Sequence, residues 1–275
     1  MRHFTGALSL ALALGLAPLT AQAQGGPLAA CADPGTKPPT ALEVCRDALR
    51  DPRLTPGQRA GVLVNLGVAQ AALDRHGDAA RSFGLAIRTD PDLVQAYTNR
   101  ARSLIALGRA EEAMADFDAA VELAPRRADS WLGRGGLHLR MGEAGKAVED
   151  LSRAIGLDPR GTAAFYNRGL ANMQLGRPRE AATDFSVVVA RAPEDVDALV
   201  ARAEARAAAG IEGARADFDR ALELAPDRGE SWLARGRFLD ARGEAEAANR
   251  DFLRAYELGV EDRWLVERVQ GLGPG

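Results

Sequence analysis

The sequence predicts an all-α protein: a solenoid of stacked antiparallel helix pairs, about six of them, with a capping helix at each end. Three observations predict it. A spacing pattern returns every 34 residues, apolar residues recur at three- and four-residue steps within each copy, and a glycine or proline stands where each helix would have to stop.

The clearest copy runs from Val94 to Arg127, where Tyr97, Leu104, Gly108, Ala113, Phe117, Ala120 and Pro125 mark packing and turn positions. Trp131, His138, Gly142, Ala147, Leu151, Ala154 and Pro159 follow at the same offsets, then Phe165, Asn172, Gly176, Ala181, Phe185, Val188 and Pro193. Upstream, Leu63, Ala79, Phe83, Ala86 and Pro91 fit another copy. Downstream, Leu199, Gly210, Ala214, Phe218, Ala221 and Pro226 fit one that is a residue short in its turn. Trp232, Gly243, Ala248, Phe252 and Ala255 fit a last copy without the closing proline. The repeats are expected at about 60–93, 94–127, 128–161, 162–195, 196–228 and 229–262.

Each copy reads as two short helices joined near a glycine, where a left-handed residue can end a helix. Ala101, Gly135, Gly169, Ala203 and Gly236 are small and are expected to face Ala113, Ala147, Ala181, Ala214 and Ala248, letting the paired helices approach. Five repeats also place Arg in the first helix and Asp in the second: Arg100 and Asp116, Arg134 and Asp150, Arg168 and Asp184, Arg202 and Asp217, Arg235 and Asp251. The first repeat has Leu66 and Ser82 instead, so both members are present or absent together. That joint behaviour points to an ion pair inside each repeat; the alternative is two solvated charges on outer faces.

The segment Trp131-Leu132-Gly133-Arg134-Gly135, with Ala147, Leu151, Ala154 and Pro159, resembles the tetratricopeptide repeat signature, and six copies cover about three quarters of the chain. The resemblance implies a right-handed superhelix with a concave groove lined by the first helices, and a family that mostly binds peptides or proteins. It places Asn65, Thr98, Asn99, Arg102, Ile105, Leu132, Leu139, Arg140, Tyr166, Asn167, Leu170, Met173 and Gln174 on that groove. The asparagines would hold the amides of an extended segment or, alternatively, bond within the stack; Tyr166 and Met173 would offer adaptable apolar contacts. Some family members clamp a terminal carboxylate with lysine, asparagine and arginine. Asn99 matches the asparagine, but Val64, Val68, Asp129 and Gly133 occupy neighbouring clamp places, so no such clamp is expected.

Residues 1–23 read as a signal peptide: Arg2 and His3, an apolar run from Ala7 to Ala17, and Ala21-Gln22-Ala23 before the cleavage point. The run is shorter than the ~20 residues that span a bilayer, and an uncleaved anchor is the alternative. Residues 24–39 are rich in Gly and Pro and are expected to form a flexible, extended leader, followed by a capping helix and linker over 40–59.

Cys31 and Cys45 are the only cysteines, an even count in a chain expected to be exported, which favours a disulfide. Leu28-Ala29-Ala30-Cys31 also matches a bacterial lipobox, in which Cys31 would be acylated, although Gly25, Gly26 and Pro27 stand where such signals are apolar. At the other end, residues 261–270 offer Trp264, Leu265, Val266 and Val269 for a helix that covers the last repeat or meets a partner, with a disordered tail to 275.

Chemistry fails on inventory. His3 falls in the signal, His76 in a turn and His138 at a packing position; there is no CxxC, no phosphate-binding glycine loop and no G-x-S-x-G. A net charge of −3 gives no basic excess for nucleic acid or a membrane surface. The sequence therefore points to a non-enzymatic adaptor or scaffold of the bacterial cell envelope without metal or cofactor, exported and periplasmic, with an outer-membrane lipoprotein or a secreted protein as alternatives. A self-associating structural component and an accessory subunit of an envelope enzyme or secretion complex are the other readings.

Overall fold

The computed structural model describes residues 27–33 and 35–271. The expected signal peptide and the tail beyond Gly271 lie outside the described residues. Every regular element among the described residues is an α-helix, and the helices fall into two units that meet in sequence at Pro125 and Arg126.

The first unit holds α1 (Pro27–Ala32), α2 (Pro38–Ala48), α3 (Pro56–Ala71), α4 (His76–Thr89), α5 (Val94–Ala106) and α6 (Ala110–Leu123). Its start departs from the extended leader expected there, because Pro27–Ala32 is helical. Six residues cannot sustain a helix alone; α1 is held from outside. Cys31 and Cys45 form a disulfide with Cα atoms 4.8 Å apart. Both are buried with Leu42, Val62 and Leu66, and Leu28 packs against the same cluster. A sulfur joined in a disulfide cannot also carry a lipid, so this pairing excludes acylation at Cys31.

The second difference is the start of α3, which lies four residues ahead of the expected repeat boundary. Thr55 and Gln58 make a capping box: the Gln58 N–H donates to Thr55 Oγ1 at 3.2 Å, and the Thr55 N–H donates to Gln58 Oε1 at 3.0 Å. Pro56 sits in the first turn, where its missing N–H costs nothing. Residues 56–59 therefore belong to the helix rather than to a linker.

The second unit holds α7 (Ala128–Arg140), α8 (Ala144–Leu157), α9 (Thr162–Gln174), α10 (Pro178–Arg191), α11 (Val196–Ala209), α12 (Ala214–Leu224), α13 (Gly229–Ala241), α14 (Ala245–Glu257) and α15 (Arg263–Gln270). Consecutive helices pack in antiparallel pairs. The first helices of successive pairs also touch one another, α7 on α9, α9 on α11 and α11 on α13, which puts them on the inner side of this stack. The last helix, α15, starts at an Asp262 cap, buries Leu265 completely and lays Trp264 edge-on against Phe252 at 5.1 Å.

Each repeat turns at a left-handed residue. Gly176, with φ +68°, is representative, and in the first repeat Asp74 takes the same place with φ +56° despite its side chain. The shortened fifth repeat uses a second left-handed residue, Gly213, directly before α12. Without a proline, the chain turns after α14 at the left-handed Gly259, and the Val260 N–H returns to the Ala255 carbonyl at 3.1 Å.

The core is as periodic as the sequence. Phe83, Phe117, Leu151, Phe185, Phe218 and Phe252 are fully buried at one offset of the repeat. The small first-helix residues make room for these side chains. A Cβ on Gly169 would lie 2.7 Å from Phe185 Cε1, closer than packing allows, so the ring of Phe185 rather than the methyl of Ala181 requires the glycine.

Five arginines bind five buried aspartates through two hydrogen bonds each: Arg100 to Asp116 (2.8 and 2.6 Å), Arg134 to Asp150 (2.7 and 2.9 Å), Arg168 to Asp184 (3.0 and 2.7 Å), Arg202 to Asp217 (2.9 and 2.6 Å) and Arg235 to Asp251 (2.7 and 2.9 Å). The two-pronged geometry matches the planar guanidinium to a carboxylate. Aromatic residues three positions earlier stack on four of these cations, with Trp131 at 4.9 Å from Arg134 and Trp232 at 5.0 Å from Arg235.

The arginines also do something the spacing does not announce: they reach the preceding repeat. Arg168 donates a third hydrogen bond to Ser152 Oγ of α8 at 3.0 Å, and Arg235 donates one to Asp219 of α12 at 2.7 Å. His138 and Asn172, expected as packing residues, instead approach the same buried aspartates. Asn172 Nδ2 donates to Asp184 at 3.4 Å, and His138 Nε2 lies 3.8 Å from Asp150 while its Nδ1 meets Glu143 at 2.6 Å. Arg206 holds Asp217 from that position in the fifth repeat. Where the first repeat lacks the ion pair, Ser82 donates to Gln70 at 2.6 Å in its place.

Candidate functional site

The face to consider is the one the first helices present. In the first unit, α5 sets Asn99, Arg102 and Ile105 part-exposed on one side, with Asn65 part-exposed on α3. Asn99 is engaged within its own helix, its Oδ1 accepting from Arg102 Nη1 at 3.1 Å, whereas Asn65 has no hydrogen-bond partner among the described residues. Thr98, expected on the groove, is only 1% exposed, and its hydroxyl donates to the Gln95 carbonyl at 3.2 Å. A β-branched side chain with its hydroxyl folded back on the helix is part of the packing, so Thr98 offers nothing to a partner.

In the second unit, α7 and α9 bring Leu132, Tyr166, Asn167, Leu170 and Met173 to a common part-exposed surface, and Arg140 and Gln174 stand exposed at its edge. Leu139 does not join them: it is 3% exposed and belongs to the core with Ala147, Leu151 and Ala171. Leu170 and Met173 rest against the cluster formed by Ala181, Phe185, Ala201 and Ala205. Asn167, like Asn65, has no hydrogen-bond partner among the described residues, and its amide lies against the bare Cα of Gly136.

Tyr166 is fixed by its edge-on contact with Phe185, ring centroids 5.5 Å apart. Burial, with the nearby carboxylates of Asp197, Asp195 and Glu204, pushes its phenol up to about 12. The hydroxyl is thus a neutral donor and acceptor throughout the physiological range.

The same offsets continue on α11 and α13, and residues there complete the surface: Val200 follows Tyr166, Glu204 follows Leu170, and Arg237 follows Glu204 with the one-residue shift of the shortened repeat. These three residues lie beyond the fourth repeat, outside the expected groove set, although the 34-residue register alone leads to them. Glu204 is part-buried on α11, and burial raises its pKa against an opposing pull from Arg237. Arg237 itself bonds Asp262 at 2.9 Å and lies under the Trp264 ring at 5.5 Å. Asp197 is paired with Arg228, and Asp195 caps α11 by accepting from the Ala198 N–H.

Among the described residues no cluster of His, Cys, Asp and Glu could hold a metal ion, and no helix is long and apolar enough to cross a membrane. The arrangement suits contact: an adaptable apolar strip, unpaired amides and a part-buried carboxylate, Glu204, without a partner among the described residues.

Comparison with known proteins agrees with the geometry. The family described as tetratricopeptide repeat matches residues 98–162, 132–196 and 166–212. Among solved structures, a tetratricopeptide repeat protein from Parabacteroides merdae is 21% identical, with a TM-score of 0.61 over 85% of this chain and 91% of that one. YrrB, described as a repeat protein of this kind with an unusual peptide-binding site, is 21% identical over 70% of this chain and 99% of that one, with a TM-score of 0.59. PilW, described as a widely conserved type IV pilus biogenesis factor, is 20% identical over 77% and 99%, with a TM-score of 0.69. At these identities the likeness establishes the fold alone. No curated protein matches the chain.

Proposed function

We propose that the chain, a tetratricopeptide repeat protein, is a non-catalytic adaptor or scaffold of the bacterial cell envelope that holds a polypeptide segment against its first helices. The observation that carries this reading is the surface of α7, α9 and α11. There Tyr166, Leu170 and Met173 give apolar contact beside Asn167 and Glu204, polar groups left without partners inside the protein. Unpaired polar groups at the edge of an apolar strip lose little on binding, because they exchange water for a partner's amides. Peptide binding by YrrB supports the reading by analogy of fold. The Cys31–Cys45 disulfide and the apolar run from Ala7 to Ala17 support export to an oxidising compartment such as the periplasm.

The test uses the full chain as bait in an envelope extract, beside a variant with Asn99, Arg102, Tyr166 and Asn167 all changed to alanine and checked for equal helicity. A protein retained by the first and lost from the second is the expected result; equal retention by both would overturn the reading.

A second reading, self-association, draws on the C-terminal end, where Leu253, Tyr256 and Trp264 are each more than two-fifths exposed. It predicts a concentration-dependent oligomer in analytical ultracentrifugation that disappears when Trp264 and Tyr256 are changed to serine. A third, an accessory subunit of an envelope enzyme or secretion complex, predicts altered kinetics of that partner and no turnover by the chain alone.

A further inference from the structure

Glu204 is a part-buried groove-side carboxylate of the second unit whose charge nothing answers directly among the described residues; Glu230, at the offset of Asp129 and Asp197, also lacks a partner but stands exposed to water. Glu204 has no hydrogen bond and no ion pair among the described residues, whereas Asp129, Asp197 and Asp262 on neighbouring segments are each paired with an arginine. The cation that influences it, Arg237, is already bonded to Asp262 and stacked on Trp264. Turning Arg237 towards Glu204 would break both contacts.

The surroundings state which group would fit. Tyr166, on the adjacent helix α9, presents a ring held edge-on by Phe185 and a hydroxyl with no hydrogen-bond partner among the described residues. Asp195 and Asp197 add negative potential at Tyr166, offset in part by Arg228, the partner of Asp197. Leu170 and Val200 supply aliphatic contact on the same helices, both part-exposed. An acidic side chain placed here would meet repulsion from Glu204, and an apolar one would bury the carboxylate further without a partner. A cationic side chain satisfies every element: its charge pairs with Glu204, an N–H donates to the phenol oxygen, and its methylene stem lies along Leu170 and Val200.

We infer that the α9–α11–α13 surface holds a polypeptide segment by a basic side chain, arginine or lysine, seated between Tyr166 and Glu204. This rests on the polypeptide-holding reading above and names the chemistry of its ligand. The register of the repeats sets the rest of the segment: apolar side chains towards Met173 on one side, and no second cation towards Arg237 on the other.

The test is selection from a phage-displayed library of random heptapeptides on the full chain, on Glu204→Gln and on Glu204→Arg, with helicity and melting curves recorded for all three. The wild type is expected to select peptides with Arg or Lys at one fixed position. A fluorescein-labelled synthetic copy of the strongest should lose at least tenfold in affinity for Glu204→Gln, and several-fold for Tyr166→Phe, which keeps the ring contact and removes only the hydroxyl. Glu204→Arg should select an acidic residue at the same position. Wild-type peptides with no fixed basic residue, or with equal affinity for Glu204→Gln, would overturn the inference while leaving the polypeptide-holding surface intact. Failure of the folded wild type to select any peptide would overturn both.

Discussion

Arg168 is locked to Asp184 of its own repeat and from there reaches the preceding one. Its guanidinium gives two hydrogen bonds to a carboxylate whose side chain is 4% exposed, and a third to Ser152 of the preceding repeat, while the arginine side chain keeps 24% of its own surface. The two partners are therefore unequal. Removing the arginine leaves a buried carboxylate with only the long 3.4 Å hydrogen bond from Asn172 and no opposite charge, whereas removing the carboxylate leaves a cation that can still reach water. Arg168→Met is expected to cost about 3–5 kcal/mol. Asp184→Asn, which keeps one acceptor, is expected to cost about 1–3 kcal/mol. Urea melts of the two variants check the order, and equal losses would mean that the pair is screened by solvent.

The disulfide anchors α1 and closes a loop over the 14-residue separation of Cys31 and Cys45. Because both sulfurs are buried with Leu42 and Val62, reduction should loosen this end without touching the later repeats. A loss of about 3 kcal/mol is expected for Cys45→Ala in the chain-entropy account. Hydrogen exchange should show faster exchange confined to α1 and α2, and uniform acceleration along the chain would contradict this.

Among the described residues, Ser130 and Ser231, at equivalent places on α7 and α13, are buried without a hydrogen-bond partner, 0% and 1% exposed. Ala96, Ala164 and Ala198 occupy that place in other repeats and are equally buried. Ser130→Ala and Ser231→Ala should each raise stability by about 1 kcal/mol, since an unmade buried hydroxyl bond is removed and the methyl fits. A fall in thermal midpoint would reveal a partner for these hydroxyls.

Asp74 holds φ +56° where five other repeats use glycine. Asp74→Gly should stabilise the first repeat by about 1 kcal/mol, the usual cost of a side chain in the left-handed region. Gly176→Ala should lose a similar amount. Paired melts of the two variants moving in the same direction would refute the shared turn.

Burial raises the Glu204 pKa above the ordinary 4.5, so the folded chain holds this proton more tightly than the unfolded chain. The contribution of Glu204 is complete below the unfolded pKa and is lost as pH rises through the folded one, leaving a charged carboxylate that disfavours folding at pH 7. Glu204→Gln should therefore gain on the wild type in melting temperature between pH 4 and pH 7. A difference constant across that range would mean that the carboxylate is fully solvated.

Much of this was legible in the amino-acid order because repeats amplify local rules. Gly176 and Pro193 are unremarkable alone, but their recurrence places most of the turns, and the joint presence of arginine and aspartate in five copies identifies partners sixteen residues apart in most of them. The surface was harder to read. Thr98 and Leu139 were expected on it and lie inside, while Glu204, Val200 and Arg237 belong to it and were passed over.

By itself, then, the sequence determined the period, the helix pairs, their stops and the need for a small residue at Gly169, since each follows from backbone conformation or a contact within one repeat; that Phe185 rather than Ala181 fills the space beside Gly169 came from the structure. Tertiary structure decided the rest. Whether Leu139 faces a core or a partner depends on how far each helix is rotated about its axis, which neighbouring helices set. Whether Cys31 takes a disulfide or a lipid depends on whether another sulfur is brought within bonding reach. The third hydrogen bond of Arg168, and the absence of any answer to Glu204, depend on what the adjoining helices place beside them, and the spacing within a single repeat carries no record of that.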